Sequence, residues 1–199
     1  MKVLAVVGSP RKGGNSTLLL EQFLAGAQAE GATVQVVRPL TMCMAPCIAC
    51  DGCNQDGHCV VKDDYQLVYD MILDSDALVL ATPIYFGAVS AILKVFIDRC
   101  QCFWASTYLL RQKLPPGPAG QPRKGMLIAV GHIDQAVMFQ SARLTFGYLI
   151  KSLQGETWGE LCCAGYNERG AILRSPELLE QAHAMGRRLA LGRPSSEMT

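Results

Sequence analysis

Two hydrophobic spacings alternate along this chain. Lys2 leads into an unbroken apolar run, Val3-Leu4-Ala5-Val6-Val7, that stops at Gly8-Ser9-Pro10, the pattern of a strand buried on both faces of a parallel sheet. Behind the helix-starting residues Asn15-Ser16-Thr17, the apolar residues Leu18, Leu19, Phe23, Leu24 and Ala27 recur at helical spacing as far as Gly31. The two patterns then repeat. Strands are predicted over residues 33–37, 77–81, 126–130 and 156–163, with Thr82-Pro83 closing the third. Helices are predicted over residues 65–73, from 90 to about 110 with Ile92, Val95, Phe96 and Ile97 inward, over 135–153 and over 176–191, followed by a frayed tail.

Five strands alternating with five helices predict a doubly wound α/β fold, a five-stranded parallel sheet with right-handed crossovers and helices on both faces. Ligands in such sheets bind at the carboxyl ends of the strands, where strand order reverses. The loops beginning near Gly8, Arg38, Thr82 and Gly131 then share one rim. The prolines at 115, 116, 118 and 122 make residues 111–124 a connector rather than a helix or an inner strand. The organisation is read as a single domain over 1–191, with a long loop at 38–62 inserted after the second strand and a tail at 192–199.

Charge narrows the partners. With 18 basic and 17 acidic residues among 199, a formal net charge of +1 leaves no electrostatic footprint for nucleic acid or an anionic membrane. The first apolar run is too short for a signal peptide, and no apolar run of about 18 residues could span a bilayer, so a cytoplasmic location is expected. Lys94, with Asp98 and Arg99 four and five residues after it on one helix, reads with them as a solvated or helix-capping charge group.

Nine cysteines without a secretory signal argue for metal or redox use rather than a disulfide framework. Four are clustered in Cys47-Ile-Ala-Cys50-Asp-Gly-Cys53, closed by Cys59. Three thiols two residues apart can turn back on one centre, as a compact iron–sulfur site requires, with a more distant fourth. A four-iron cluster, zinc (with His58 able to replace a thiol) and free thiols are the three open occupancies. Cys43, Cys100, Cys102, Cys162 and Cys163 read as small buried hydrophobes.

The first loop, Gly8-Ser9-Pro10-Arg11-Lys12-Gly13-Gly14-Asn15-Ser16-Thr17, joins a strand to a helix start, where backbone amides and the helix dipole favour an anion. A Walker loop fails because Gly14-Asn15 follows Gly13, and the dinucleotide fingerprint fails because Ser9-Pro10 follows Gly8. A monophosphate such as that of FMN fits, as does a plain helix-capping turn.

Together with Thr82-Pro83-Ile84-Tyr85-Phe86-Gly87 and Leu93-Lys94-Val95-Phe96-Ile97-Asp98-Arg99, this loop resembles the NADPH-dependent FMN reductase superfamily of flavodoxin-like proteins. With the four cysteines it most resembles the iron–sulfur flavoproteins. The resemblance covers about residues 1–165 and implies a flavodoxin-like strand order 2-1-3-4-5. It implies Ser9, Arg11, Asn15, Ser16 and Thr17 at the FMN phosphate, and Pro83, Ile84, Tyr85, Phe86 and Gly87 at the ring. Gly131 and His132 would give a third, weaker contact in the loop Gly131-His132-Ile133-Asp134. Tyr85 and Phe86 read equally as core aromatics, and His132 as a surface histidine. The resemblance further implies that Cys47, Cys50, Cys53 and Cys59 hold a four-iron (4Fe-4S) cluster passing electrons to FMN.

The expected function is thus an FMN-dependent oxidoreductase moving electrons between ferredoxin or NAD(P)H and an acceptor, assembled as a homodimer or homotetramer. The alternatives are a cluster-free NAD(P)H-dependent FMN or quinone reductase and a thiol-based redox or metal sensor. Phe103-Trp104, Tyr108 and Leu109 read as subunit contacts, a flavin cover or a buried helix face.

Overall fold

The computed structural model describes residues 1–133 and 135–195. Asp134, the last residue of the quoted loop after the fourth predicted strand, and the final four residues of the tail lie outside the described residues. The strands are β1 (Lys2–Val7), β2 (Thr33–Val37), β3 (Ala77–Tyr85), β4 (Ala88–Val89), β5 (Lys124–Val130) and β6 (Glu156–Cys163). The helices are α1 (Asn15–Ala29), α2 (Tyr65–Leu73), α3 (Ala91–Arg99), α4 (Gln101–Trp104), α5 (Gln140–Ser152) and α6 (Pro176–Ala190). Five strands run parallel in the order β2-β1-β3-β5-β6. This is the expected 2-1-3-4-5 order with one added strand, the short β4, which pairs antiparallel with the end of β3.

The strand pleat divides the core. Val3, Ala5 and Val7 of β1, with Val79 of β3 and Ile128 of β5, face α1 and α6. Leu4 and Val6, with Leu78, Leu80 and Leu127, face α2, α3 and α5. Alternate side chains go to opposite faces and both faces are covered, which is why these strands read as continuous apolar runs rather than as alternation.

Four expectations need correction. β3 does not close at Thr82-Pro83 but continues to Tyr85. Its ladder to β1 ends at Ala81, so Pro83 stands where one side of the strand is no longer paired, a position that tolerates a proline. The helical stretch from 90 to 110 is broken into α3, α4 and a π turn at Ala105–Leu109. The inward face of α3 is Leu93, Phe96 and Arg99, while Ile92, Val95 and Ile97 are only half-buried. Ser90 sets that rotation: its hydroxyl accepts from Leu93 N at 3.2 Å and donates to Gly8 O at 2.6 Å. Finally, the tail is held at its start, with Trp158 Nε1 donating to Arg193 O and Arg188 Nε to Pro194 O.

Candidate functional site

At the carboxyl rim of the sheet, four loops enclose a cavity of about 390 Å³, within the size range of small-molecule sites. The loop after β1 contributes Ser9, Arg11, Asn15 and Ser16, and the β3–β4 turn contributes Pro83, Ile84, Tyr85, Phe86 and Gly87. Gly131 and His132 after β5 line the same space. Thr17 sits one residue behind the wall, buried. Eleven of the twelve residues expected to bind the cofactor therefore meet in one place.

The end of the cavity at the start of α1 is defined by what is left unsatisfied. Gly14 caps α1 without a side-chain hydrogen bond, so the first-turn amides of a 15-residue helix are not capped by a side chain. Among the described residues, Ser16 Oγ and Thr17 Oγ1 are buried with no hydrogen-bond partner. A buried hydroxyl without a partner costs about 1–3 kcal/mol, and two together at a helix N-terminus form a cradle for an anion. A Cβ on Gly14 would fall 2.5 Å from Ser9 Oγ, so only glycine lets the loop close this tightly. Asn15 departs from its expected role: its side chain donates to Glu168 O at 2.9 Å and accepts from Ile172 N at 3.2 Å. Its polar atoms hold the loop after β6 rather than facing the cavity.

That last loop was not anticipated. Tyr166, Asn167 and Arg169 line the cavity, zipped to the loop after β5 by Gly165 N to His132 O and Tyr166 N to Gly131 O, both 3.1 Å. Arg11 donates to Asn167 O. Arg169 is exposed and forms no ion pair among the described residues, which makes it a second cation beside Arg11. No local motif marks these residues; only the order of β6 beside β5 brings them to the rim.

The end of the cavity at the β3–β4 turn is apolar. Tyr85 and Phe86 are not core aromatics. Phe86 is 109% exposed and sits with Gly87 at the tip of a two-residue hairpin turn, at φ values of 50° and 71°. Positive φ at both positions suits a hairpin turn, but for a bulky residue it is strained. Such strain persists where the surroundings impose it, often at ligand-binding sites.

The four clustered cysteines lie elsewhere. All of Cys47, Cys50, Cys53 and Cys59 line a separate small cavity of about 30 Å³ with Arg99 and Cys102, and none lines the rim cavity. The expectation that their loop would sit on the cofactor rim is corrected: it leaves the rim after β2 and is laid down over α4 and the π turn. Three anchors put it there. Asp64 accepts from Cys43 N, Gln66 donates to Cys59 O and Val61 O, and Ser106 bonds Gly57 O. Left-handed residues at Ala49 and Asp51 turn the chain back around Cys50. His58 does not line the thiol cavity but leans on Tyr69, with ring centroids 5.1 Å apart.

The fourth anchor is Arg99, read from the sequence as surface charge. It is 1% exposed. It donates to Asp63 at 2.5 and 3.0 Å, to Ala45 O at 2.8 Å and to Val61 O at 3.3 Å. It lies 4.7 Å from the Tyr65 ring centroid. Burial would lower its pKa, but the hydrogen-bonded Asp63 carboxylate, with Cys59 nearby, outweighs that and keeps it charged. Lys94 and Asp98, by contrast, form the exposed pair expected.

Burial pushes the Cys53 thiol up, and Cys59, Cys47 and Cys50 push it the same way. Among the described residues, however, no three His, Cys, Asp or Glu side chains are gathered closely enough to hold a metal ion. The four thiols are the soft donors an iron–sulfur site uses, but as placed they do not converge on one metal centre. Of the remaining cysteines, Cys100, Cys102 and Cys163 are buried as expected, Cys162 is half-buried, and Cys43 is exposed. Cys43 is held out because its amide and carbonyl are both engaged by Asp64 at the loop's edge.

Comparison with known proteins gives three findings. A family described as NADPH-dependent FMN reductase matches residues 1–147. An iron-sulfur flavoprotein of Methanocaldococcus jannaschii is 37% identical over 99 residues, 50% of this chain and 51% of that protein. The match thus spans about half of that relative's length. The Bacillus subtilis protein YwqN, whose name describes an NAD(P)H-dependent FMN-containing oxidoreductase, is 30% identical over 196 residues, covering 94% of this chain and 98% of its own. In fold, the chain superposes on an NAD(P)H:quinone oxidoreductase from Methanothermobacter marburgensis with a TM-score of 0.74 at 19% identity, covering 95% of this chain and 96% of the other.

Proposed function

Since the chain belongs to the NADPH-dependent FMN reductase family, we propose that it binds FMN in the rim cavity and works as an FMN-dependent oxidoreductase. The observation that carries this is the pair of partnerless buried hydroxyls, Ser16 Oγ and Thr17 Oγ1, at the uncapped start of α1. They and Ser9 would donate to the phosphate, with Arg11 and Arg169 offsetting its charge. Pro83, Ile84, Tyr85, Phe86 and Gly87 would line the ring, with Gly131 and His132 opposite. Bound there, FMN supplies hydride and single-electron chemistry. The apolar walls, Ile84, Ile133 and Met138 among them, would keep water from the ring. No side chain in the cavity is asked to act as a strong acid or base.

In the same reading, Cys47, Cys50, Cys53 and Cys59 would hold a four-iron cluster, which carries one electron at a time, and the donor is ferredoxin or NAD(P)H. The half-exposed Trp104 and Tyr108 support association into a homodimer or homotetramer. A second reading, a cluster-free NAD(P)H-dependent reductase of FMN or quinone, is favoured by the absence of a gathered metal set among the described residues.

The test is an anaerobic preparation of the full chain with its visible spectrum and its FMN, iron and sulfide per chain. One FMN and four irons are expected; FMN without iron selects the second reading, and a colourless chain that takes up no FMN overturns both. Ser16→Ala should weaken FMN binding about 10- to 100-fold, the loss of one charge-assisted hydrogen bond, while leaving the FMN-free chain no less stable, because the deleted hydroxyl has no partner there.

A further inference from the structure

One side chain joins the start of α1 to the cation on the far loop of the rim cavity. Asn15 stands directly before Ser16 and Thr17 on the first turn of α1, yet its own amide is spent on the loop after β6. Its Nδ2 donates to Glu168 O at 2.9 Å and, at 3.5 Å, to Tyr166 O, while its Oδ1 accepts from Ile172 N at 3.2 Å. These contacts lie on both sides of a tight turn. Ala171 N donates to Glu168 O at 3.2 Å, and Gly170 holds φ 75° and ψ 6°, the left-handed values that the third residue of a type II turn requires. Arg169 is the second residue of that turn, an exposed cation on the cavity wall. A carboxamide supplies both the donor and the acceptor needed to pin the turn from either side, whereas a carboxylate would face two carbonyls with nothing to donate.

We propose that Asn15 is a positioning residue for the cofactor phosphate: it does not bind the phosphate but fixes the turn at 168–171, so that Arg169 is presented to the cavity at the start of α1. This rests on the FMN reading of the previous section. A guanidinium on a free loop must give up backbone and side-chain freedom when it grips an anion, and that cost is subtracted from affinity. A turn held on both sides has given up the backbone part beforehand. The effect is confined to the phosphate. The hairpin that carries Phe86 and Gly87 is held by its own pairing of β3 with β4, so a flavin lacking the phosphate does not feel Asn15.

The experiment titrates the full chain, freed of flavin, with FMN and with riboflavin, followed by flavin fluorescence. Asn15→Ala should weaken FMN about 10-fold, the scale of one hydrogen bond to a charged group, and leave riboflavin unmoved. Arg169→Gln should weaken FMN by a similar factor. In the Arg169→Gln background, Asn15→Ala should add little, because it acts through the residue already removed. Losses that multiply in full, with riboflavin unmoved, mean that Asn15 acts on the phosphate by another route and overturn the proposal. Equal losses for FMN and riboflavin make Asn15 a prop of the fold and overturn it too. The wild-type chain gives a readout that needs no variant: the Ile172 amide, buried and bonded to Asn15 Oδ1, should stay protected from hydrogen exchange when FMN is added. Faster exchange there, the side chain having left for the phosphate, overturns the proposal as well. FMN taken up with any of these contrary results removes only the role of Asn15, whereas a wild-type chain that takes up neither flavin removes the FMN reading and this proposal together.

Discussion

A thiol reacts as its thiolate, and only where a reagent can reach it. On both counts the nine cysteines separate. Cys43, Cys47 and Cys50 are exposed, while Cys100, Cys102 and Cys163 are buried. Burial pushes Cys102 up to about 12 and Cys163 to about 11. Brief alkylation of the native, metal-free chain near pH 8, followed by peptide mass spectrometry, should therefore label the first three completely before Cys102 is touched. Equal labelling would contradict the burial described here. Residue chemistry was legible in the sequence where it depended on a short motif: the hydroxyls at Ser16 and Thr17 and the four clustered thiols. It was not legible for Arg99, whose charge looked like surface until α3 was rotated. The spacing Leu93, Phe96, Arg99, three residues apart each time, held the signal. Reading it meant accepting a cation on a buried face, which is rare unless the cation is paired, and its partner Asp63 is 36 residues away.

Among the elements, α1 and α6 cover one face of the sheet and meet at two glycines. A Cβ on Gly186 would run into Phe23 O, and one on Gly26 into His183 O. The neighbours are backbone, which cannot rotate aside. Gly186→Ala should cost about 1–3 kcal/mol, read as a lower midpoint in urea at unchanged slope, whereas Gly147→Ala, on α5 with open space around it, should cost nothing or gain slightly. Element order and most boundaries followed from hydrophobic spacing alone, because strands covered on both sides and helices covered on one have distinct periods. The failures came where tertiary contacts redraw an element. β3 runs past its proline because β5 pairs with it as far as Pro83 and β4 pairs with Ile84 and Tyr85 beyond, and the helix from 90 to 110 breaks where the cysteine loop packs on it.

Across the whole molecule, the cysteine loop is attached by a buried ion pair whose state depends on pH. Burial alone would raise the Asp63 pKa, but donation from Arg99 and from the Ala45 and Tyr65 amides brings it below the ordinary carboxylate value near 3.8. The stability this lends is fully present above the unfolded value and is lost as pH falls through the lower, folded one. The loop should thus be held throughout pH 5 to 8 and released below about pH 4. Amide exchange at Ala45 and Tyr65 checks this: protection should fall in that acid range while β1 and β3 stay protected, and unchanged protection at Ala45 would count against the anchor. The rim cavity was legible because a doubly wound sheet dictates which loops converge. The path of a 25-residue loop (38–62) was not, because it is set by three side chains from helices that a local pattern cannot relate to it.

Helix α3 touches both sites. Its cap, Ser90, bonds Gly8 beside the rim cavity, and its last residue, Arg99, closes the cysteine loop. An α-helix is a stiff rod rising about 1.5 Å per residue, so these nine residues act as a ruler of about 13.5 Å between one pole and the other. The gap between the rim cavity and the cysteine loop is then a matter of covalent geometry rather than of loop motion. Substitutions at either end alter alignment and leave reach untouched; only adding or removing a turn of α3 would change the span between the cavity and the loop.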